Sequence, residues 1–124
     1  MTRIGELFKR KRARVLNVYS TAGFPRLDST LEVMRALQAN GVDLIELGMP
    51  YSDPLADGPV IQRASERALA HGTRLIDVLA LAADLRAARP QAGLIIFSYL
   101  NPILRYGLAR FADAAARRDR RAHV

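Results

Sequence analysis

Residues 43–59 read Asp43-Leu44-Ile45-Glu46-Leu47-Gly48-Met49-Pro50-Tyr51-Ser52-Asp53-Pro54-Leu55-Ala56-Asp57-Gly58-Pro59. The alternation over Asp43–Gly48 predicts a strand, and Met49–Gly58, stiffened by Pro50 and Pro54, predicts a loop. Pro59 suits the first turn of a helix that runs to about Ala70 and stops at His71-Gly72. This strand–loop–helix unit has counterparts on both sides. Upstream, Val15–Ser20 predicts a first strand ending in a Thr21–Pro25 loop. A helix follows, opened by a Ser29/Glu32 capping box, carrying Val33, Met34 and Leu37, and stopped by Asn40-Gly41. Downstream, Thr73 caps a helix bearing Leu75, Ile76, Leu79 and Leu85 and ended by Pro90. Ala92–Tyr99 is almost continuously apolar, as strands covered on both faces are. After Asn101-Pro102 a last helix includes Leu108, Phe111 and Ala115, and a short amphipathic helix over 3–12 leads the chain in with Ile4, Leu7 and Phe8.

Strands alternating with helices predict a parallel α/β sheet with right-handed crossovers, either an open doubly wound sheet or an eight-unit barrel. Thr21-Ala22-Gly23-Phe24-Pro25 does not supply the Gly-x-Gly-x-x-Gly turn that a dinucleotide site wants after the first strand. A (β/α)8 barrel takes about 250 residues. The 124 residues here are therefore expected to form an incomplete TIM barrel, with three βα units and an N-terminal helix.

Composition narrows the chemistry. No cysteine is present, which excludes disulfides, thiolate metal sites and a cysteine nucleophile, and two histidines cannot build a histidine-rich zinc site. No apolar run approaches the ~18 residues of a membrane span, and the basic start has neither an apolar stretch nor a cleavage site of a leader. The expectation is a cytoplasmic protein without membrane contact. Lys and Arg total 19 against 12 Asp and Glu, a net charge of +7. The excess sits at the ends, in Arg3, Lys9, Arg10, Lys11, Arg12 and Arg14 and in Arg117, Arg118, Arg120 and Arg121. A neutral body with few aromatics for base stacking argues against nucleic-acid binding.

Glu46 stands out on energetic grounds. The period-2 pleat puts Leu44 and Glu46 on one face and Ile45 and Leu47 on the other. In a barrel the second pair meets the helices and Glu46 points inward near the strand's C-terminal end, where the catalytic groups of such barrels sit. Burial there favours an acid that both gives and takes a proton. The competing assignment is a solvent-facing glutamate on an edge strand. Asp53 and Asp57 follow on a loop whose prolines limit its conformations. They are either carboxylates presented at a site mouth or ordinary turn chemistry, with Asp57 serving as a cap before Pro59. His71 is read as a helix-end residue.

Leu44–Pro59 closely resembles the signature of the tryptophan synthase α chain family. Supporting segments are Val18–Pro25, Ile61-Gln62 and Tyr99-Leu100-Asn101-Pro102, and the resemblance runs in register from about residue 4 to 116. It implies the eight-unit barrel and cleavage of indole-3-glycerol phosphate to indole and glyceraldehyde 3-phosphate, with no cofactor or metal. It also implies a heterotetramer of two α and two β chains, indole passing to the pyridoxal-phosphate-bearing β chain. The catalytic pair falls on Glu46 and Asp57: Glu46 would shuttle protons at indole C3 and the glycerol hydroxyl, and Asp57 would stabilise positive charge on the indole nitrogen. Tyr19 falls on an aromatic wall of the indole pocket, and Asp53, Pro54 and Asn101 fall on loops facing the β chain.

By the same resemblance, a Gly-x-Asp-Gly segment leads into a fourth strand after the third helix, the phosphate-binding backbone lies near the last two strands, and a mobile lid follows the sixth. Here residues 117–124 read Arg-Arg-Asp-Arg-Arg-Ala-His-Val, so 1–116 is expected to be the N-terminal part of the barrel domain and 117–124 a basic tail foreign to the family. Read one base on, one permitted codon choice for 118–124 gives Gly-Thr-Asp-Gly-Leu-Met, which fits a frameshift at Arg118; the alternatives are a real basic tail or an assembly artefact. The alternative to a lyase is then an inactive fragment without a phosphate site, at most a piece that contacts a β chain.

Overall fold

Three strands, β1 (Asn17–Thr21), β2 (Leu44–Gly48) and β3 (Gly93–Phe97), pair in parallel in the order β1-β2-β3. These assignments come from a computed structural model that describes residues 2–87 and 92–120. Six helices are interleaved: α1 (Arg3–Arg10), α2 (Ser29–Ala39), α3 (Pro59–Ala70), α4 (Leu75–Ala87), α5 (Leu100–Tyr106) and α6 (Leu108–Arg120). Strand order that follows chain order is that of a barrel arc, whereas a doubly wound sheet reverses direction at a switch point.

The register sorts side chains into rows across the sheet. Val18, Ile45 and Leu94 are partners, as are Ser20, Leu47 and Ile96. This face meets the helices: Ile45 and Leu47 are fully buried with Met34 of α2 and Val78, Ala82 and Leu85 of α4. Full burial of each such side chain contributes about 1.5–3 kcal/mol, so this layer is what holds the sheet to its helices. The opposite face carries the rows Asn17–Leu44–Gly93, Tyr19–Glu46–Ile95 and Thr21–Gly48–Phe97, none of which joins that cluster. At the strands' N-terminal end α1 closes over this face. Leu7 is buried, and a Cβ placed on Gly93 would lie 3.1 Å from Ile4 Cγ1 and 2.6 Å from Leu44 Cδ2.

Most helix boundaries follow local chemistry. Pro59 occupies the first turn of α3, and Gly41 and Gly72 adopt φ of +84° and +82° just past α2 and α3, a region only glycine enters at no cost. Two expected caps are not formed. Ser29 is the first residue of α2 and its Oγ accepts from Arg26 N (3.1 Å) and donates to Arg26 O (2.9 Å), so the upstream turn takes the hydroxyl and the Ser29/Glu32 box is absent. Thr73 is buried with no partner for its Oγ1 among the described residues, while Asp77 reaches back to accept from Arg74 N (2.8 Å). The last helix is two: Gly107 (φ +104°) separates α5 from α6, and Pro102 lies inside the first turn of α5, where its missing N–H costs nothing. α6 continues to Arg120 across the boundary expected at 116/117, and Pro90 and residues 121–124 lie outside the described residues.

Candidate active site

β2 is the central strand, so Glu46 is not an edge residue. It is half-buried on the face away from the helices, between Tyr19 and Ile95, and Asn17 Nδ2 donates to its Oε1 (2.8 Å). One row further along the strands, the Tyr19 ring leans across Gly48. A Cβ on Gly48 would sit 2.0 Å from Tyr19 Oη, so only glycine leaves room for the ring. The ring meets Phe97 edge-on, with centroids 5.7 Å apart and planes at 89°, and Thr21 Oγ1 donates to its hydroxyl (3.3 Å). Burial pushes the Tyr19 phenol above its ordinary value. Thr21 pulls the other way, and the negative charges of Asp57 and Glu46 add to the rise. Both carboxylates therefore act on one phenol, which the sheet register and the following loop bring about together.

That loop is held at several points. Met49 N donates to Phe97 O (2.8 Å), and Gln62 Nε2 on α3 donates to Asp57 O (2.7 Å) and Pro54 O (3.3 Å). Ala56 N donates to Tyr99 Oη (3.0 Å), Tyr99 stacks on Tyr51 with centroids 4.9 Å apart, and Asn101 Nδ2 donates to Tyr51 Oη (2.8 Å). Asp57 is half-buried. The N-cap of α3 is Gly58 and no side chain caps it, so Asp57 does not serve as the cap that turn chemistry allows. Asp53 and Asn101 are exposed and Pro54 half-buried, all at the loop end of the sheet. His71 caps the C-terminus of α3 with Nδ1 3.3 Å from Gly23 O.

The Tyr19 phenol therefore lies within electrostatic reach of both Glu46 and Asp57, and Asp53, Pro54 and Asn101 lie on the loops at the same end of the sheet. Asn17, Gly48, Gln62, Phe97 and Tyr99 also shape the site and were not among the expected residues. Gly48, Gln62 and Tyr99 had a signal, as members of the quoted motifs. Among the described residues no group of three or more His, Asp or Glu is placed to hold a metal ion, and no helix is long and apolar enough to cross a membrane.

The family model described as tryptophan synthase alpha chain matches residues 6–122. The chain belongs to the tryptophan synthase alpha chain family. Its curated relatives include the tryptophan synthase alpha chains of Solibacter usitatus, 55% identical over 94% of this chain and 45% of the relative, and of Chloroflexus aurantiacus, 52% identical with the same coverage. Among solved structures, tryptophan synthase subunit alpha from Legionella pneumophila superposes with a TM-score of 0.90 at 43% identity, covering 96% of this chain and 47% of that one. A tryptophan synthase from M. tuberculosis superposes at 0.87 and 38% identity. The fold is accordingly part of a βα barrel, of a family that serves tryptophan biosynthesis. The chain spans under half the length of the relatives it matches.

Proposed function

We propose that this tryptophan synthase alpha-family chain carries the acid–base half of a site for retro-aldol cleavage of indole-3-glycerol phosphate, using no cofactor or metal of its own. The observation that carries this is Glu46, half-buried on the central strand beside Tyr19, with one oxygen held by Asn17 and with its charge, like that of Asp57, acting on the Tyr19 phenol. Glu46 gives a proton to indole C3, and the Asp57 carboxylate stabilises the positive charge that then develops on the ring nitrogen. The bond from C3 to the glycerol carbon breaks, its electron pair returns to the indole, and the hydroxyl proton of that carbon goes to Glu46 as the aldehyde forms. Tyr19 and Phe97 form an aromatic wall for the indole. By the family resemblance the rim residues Asp53, Pro54 and Asn101 face a β chain, which holds the pyridoxal phosphate and consumes the indole.

A second reading, in which the 124-residue chain by itself does not turn over, is favoured by its coverage of 45% of the relative and by a three-stranded sheet whose site-bearing face stays open. Phosphate binding, assigned by resemblance to the last strands of the barrel, supplies part of the orientation at the reacting carbon. One experiment separates the readings. Residues 1–116 are fused to the remaining segment of the Solibacter usitatus alpha chain, and cleavage is assayed beside the 124-residue chain. We expect turnover from the fusion only, reduced about 10²–10⁴-fold by Glu46→Gln and about 10²–10³-fold by Asp57→Asn. A fusion that stays fully active with Glu46→Gln refutes the acid–base assignment.

A further inference from the structure

The outer part of the loop that presents Asp57, past the buried Pro50, has little burial to hold it. Leu55 is 90% exposed, and Ser52, Asp53 and Ala56 also face solvent. Its position depends instead on directed contacts, and two of them bracket one residue. Gln62 Nε2 holds the carbonyl of Asp57 (2.7 Å), and on the other side Tyr99 Oη accepts the amide of Ala56 (3.0 Å). With the Asp57 carbonyl and the Ala56 amide both fixed, the backbone that carries the Asp57 side chain has little freedom left. Tyr99 belongs to the turn after β3, so this bond ties the loop after one strand to the end of the next.

The tyrosine is itself held. Its ring stacks on Tyr51 at an interplanar angle of 27°, and Asn101 fixes Tyr51 by donating to its hydroxyl (2.8 Å). Tyr51 belongs to the same loop as Ala56, so the stack and the amide bond together fasten that loop to the residues that follow β3. A carboxylate misplaced by about 1 Å at a reacting centre can cost on the order of 10²-fold in rate.

We propose that Tyr99 is a positioning residue for Asp57, setting where that carboxylate stands by accepting the Ala56 amide. The proposal rests on the retro-aldol reading above, in which the Asp57 carboxylate stabilises charge on the indole nitrogen.

Tyr99→Phe removes the acceptor oxygen and leaves the stacked ring, so it is the informative variant. Two measurements test it. In the 124-residue chain, amide hydrogen exchange of the peptide covering 50–58 should rise severalfold at Ala56 in Tyr99→Phe, with exchange in β2 unchanged. In the fusion enzyme, Tyr99→Phe should lower kcat about threefold to tenfold, the worth of one ordinary hydrogen bond, with KM within twofold and the thermal midpoint unmoved. A merely structural tyrosine would move the midpoint and leave the kcat-to-KM split alone. Unchanged Ala56 exchange, or an unchanged kcat while Glu46→Gln remains inactive, overturns the role of Tyr99 and leaves the function standing. A fusion indifferent to Glu46→Gln overturns both.

Discussion

Replacing Gly48 by alanine puts one methyl group where the Tyr19 ring now lies. The added carbon would stand 2.0 Å from Tyr19 Oη, 2.4 Å from Cζ and 2.7 Å from Cε2, well inside contact distance, so the ring must leave. The backbone does not object, because φ at Gly48 is not in the left-handed region; an alanine in such a strand position even gains about 0.4–1 kcal/mol by restricting the unfolded chain. Against this stand about 1–3 kcal/mol for overpacking and about 0.5–1.5 kcal/mol for the lost edge-on contact with Phe97. The net expectation is a destabilisation of about 1–3 kcal/mol, read from the urea midpoint by far-UV circular dichroism. The partner variants make the test specific. Tyr19→Phe deletes only the 2.0 Å contact and leaves those at 2.4 and 2.7 Å, so it should not rescue Gly48→Ala. Tyr19→Leu removes the ring and should make the same alanine neutral or slightly stabilising. If Gly48→Ala costs as much in the Tyr19→Leu background as in the parent, the ring is not what the glycine accommodates.

Asp43 accepts from Lys11 Nζ (2.6 Å) and Leu16 N (2.8 Å), and these bonds hold its carboxyl below its ordinary value of 3.8. The folded state then binds this proton less tightly than the unfolded chain, so the contribution is present above about pH 3.8 and is lost as the pH falls through the depressed value. Asp43→Asn should flatten the acid limb of a stability-versus-pH curve, and an unaltered limb would remove Asp43 as its source. Tyr19 has the opposite sense: its raised phenol holds its proton longer when folded, so stability should begin to fall above about pH 10.0, less steeply in Tyr19→Phe, as alkaline unfolding would reveal. Thr73→Val replaces a buried hydroxyl without a partner by a methyl of similar shape and should raise stability by about 1 kcal/mol in thermal unfolding; a loss of that size would mean the hydroxyl is satisfied.

The parts of this molecule that were legible in its sequence are those decided by neighbours in the chain. Pro59 and Gly72 bound α3 as their backbone chemistry requires, and alternation alone put Glu46 and Ile45 on opposite faces. The caps at Ser29 and Thr73 failed because each side chain had a second fate, one claimed by the Arg26 turn and one buried. The break at Gly107 was hidden inside an apolar pattern that reads as one helix. The interplay of Tyr19 with Gly48 and Phe97 needs the register of three strands, and the hold of Tyr99 on Ala56 spans 43 positions. No local pattern encodes either. The catalytic candidates were visible through strand alternation and a family motif; Gln62 and Tyr99 stood in quoted motifs, but their contacts with the loop were not readable there.

The closure of α1 over Gly93 has a bearing on how the chain is made. Ile4 finds a neighbour in Gly93 on the last strand of the sheet, some ninety positions away. Contacts of such sequence separation form late, after the cost of bringing distant segments together has been met. During synthesis α1 leaves the ribosome well before β3, with Phe8 and the apolar side of Ile4 and Leu7 bare beside a run of cations. Through that interval the helix is an amphipathic segment without its packing surface, and it settles only once residues 93–97 are available.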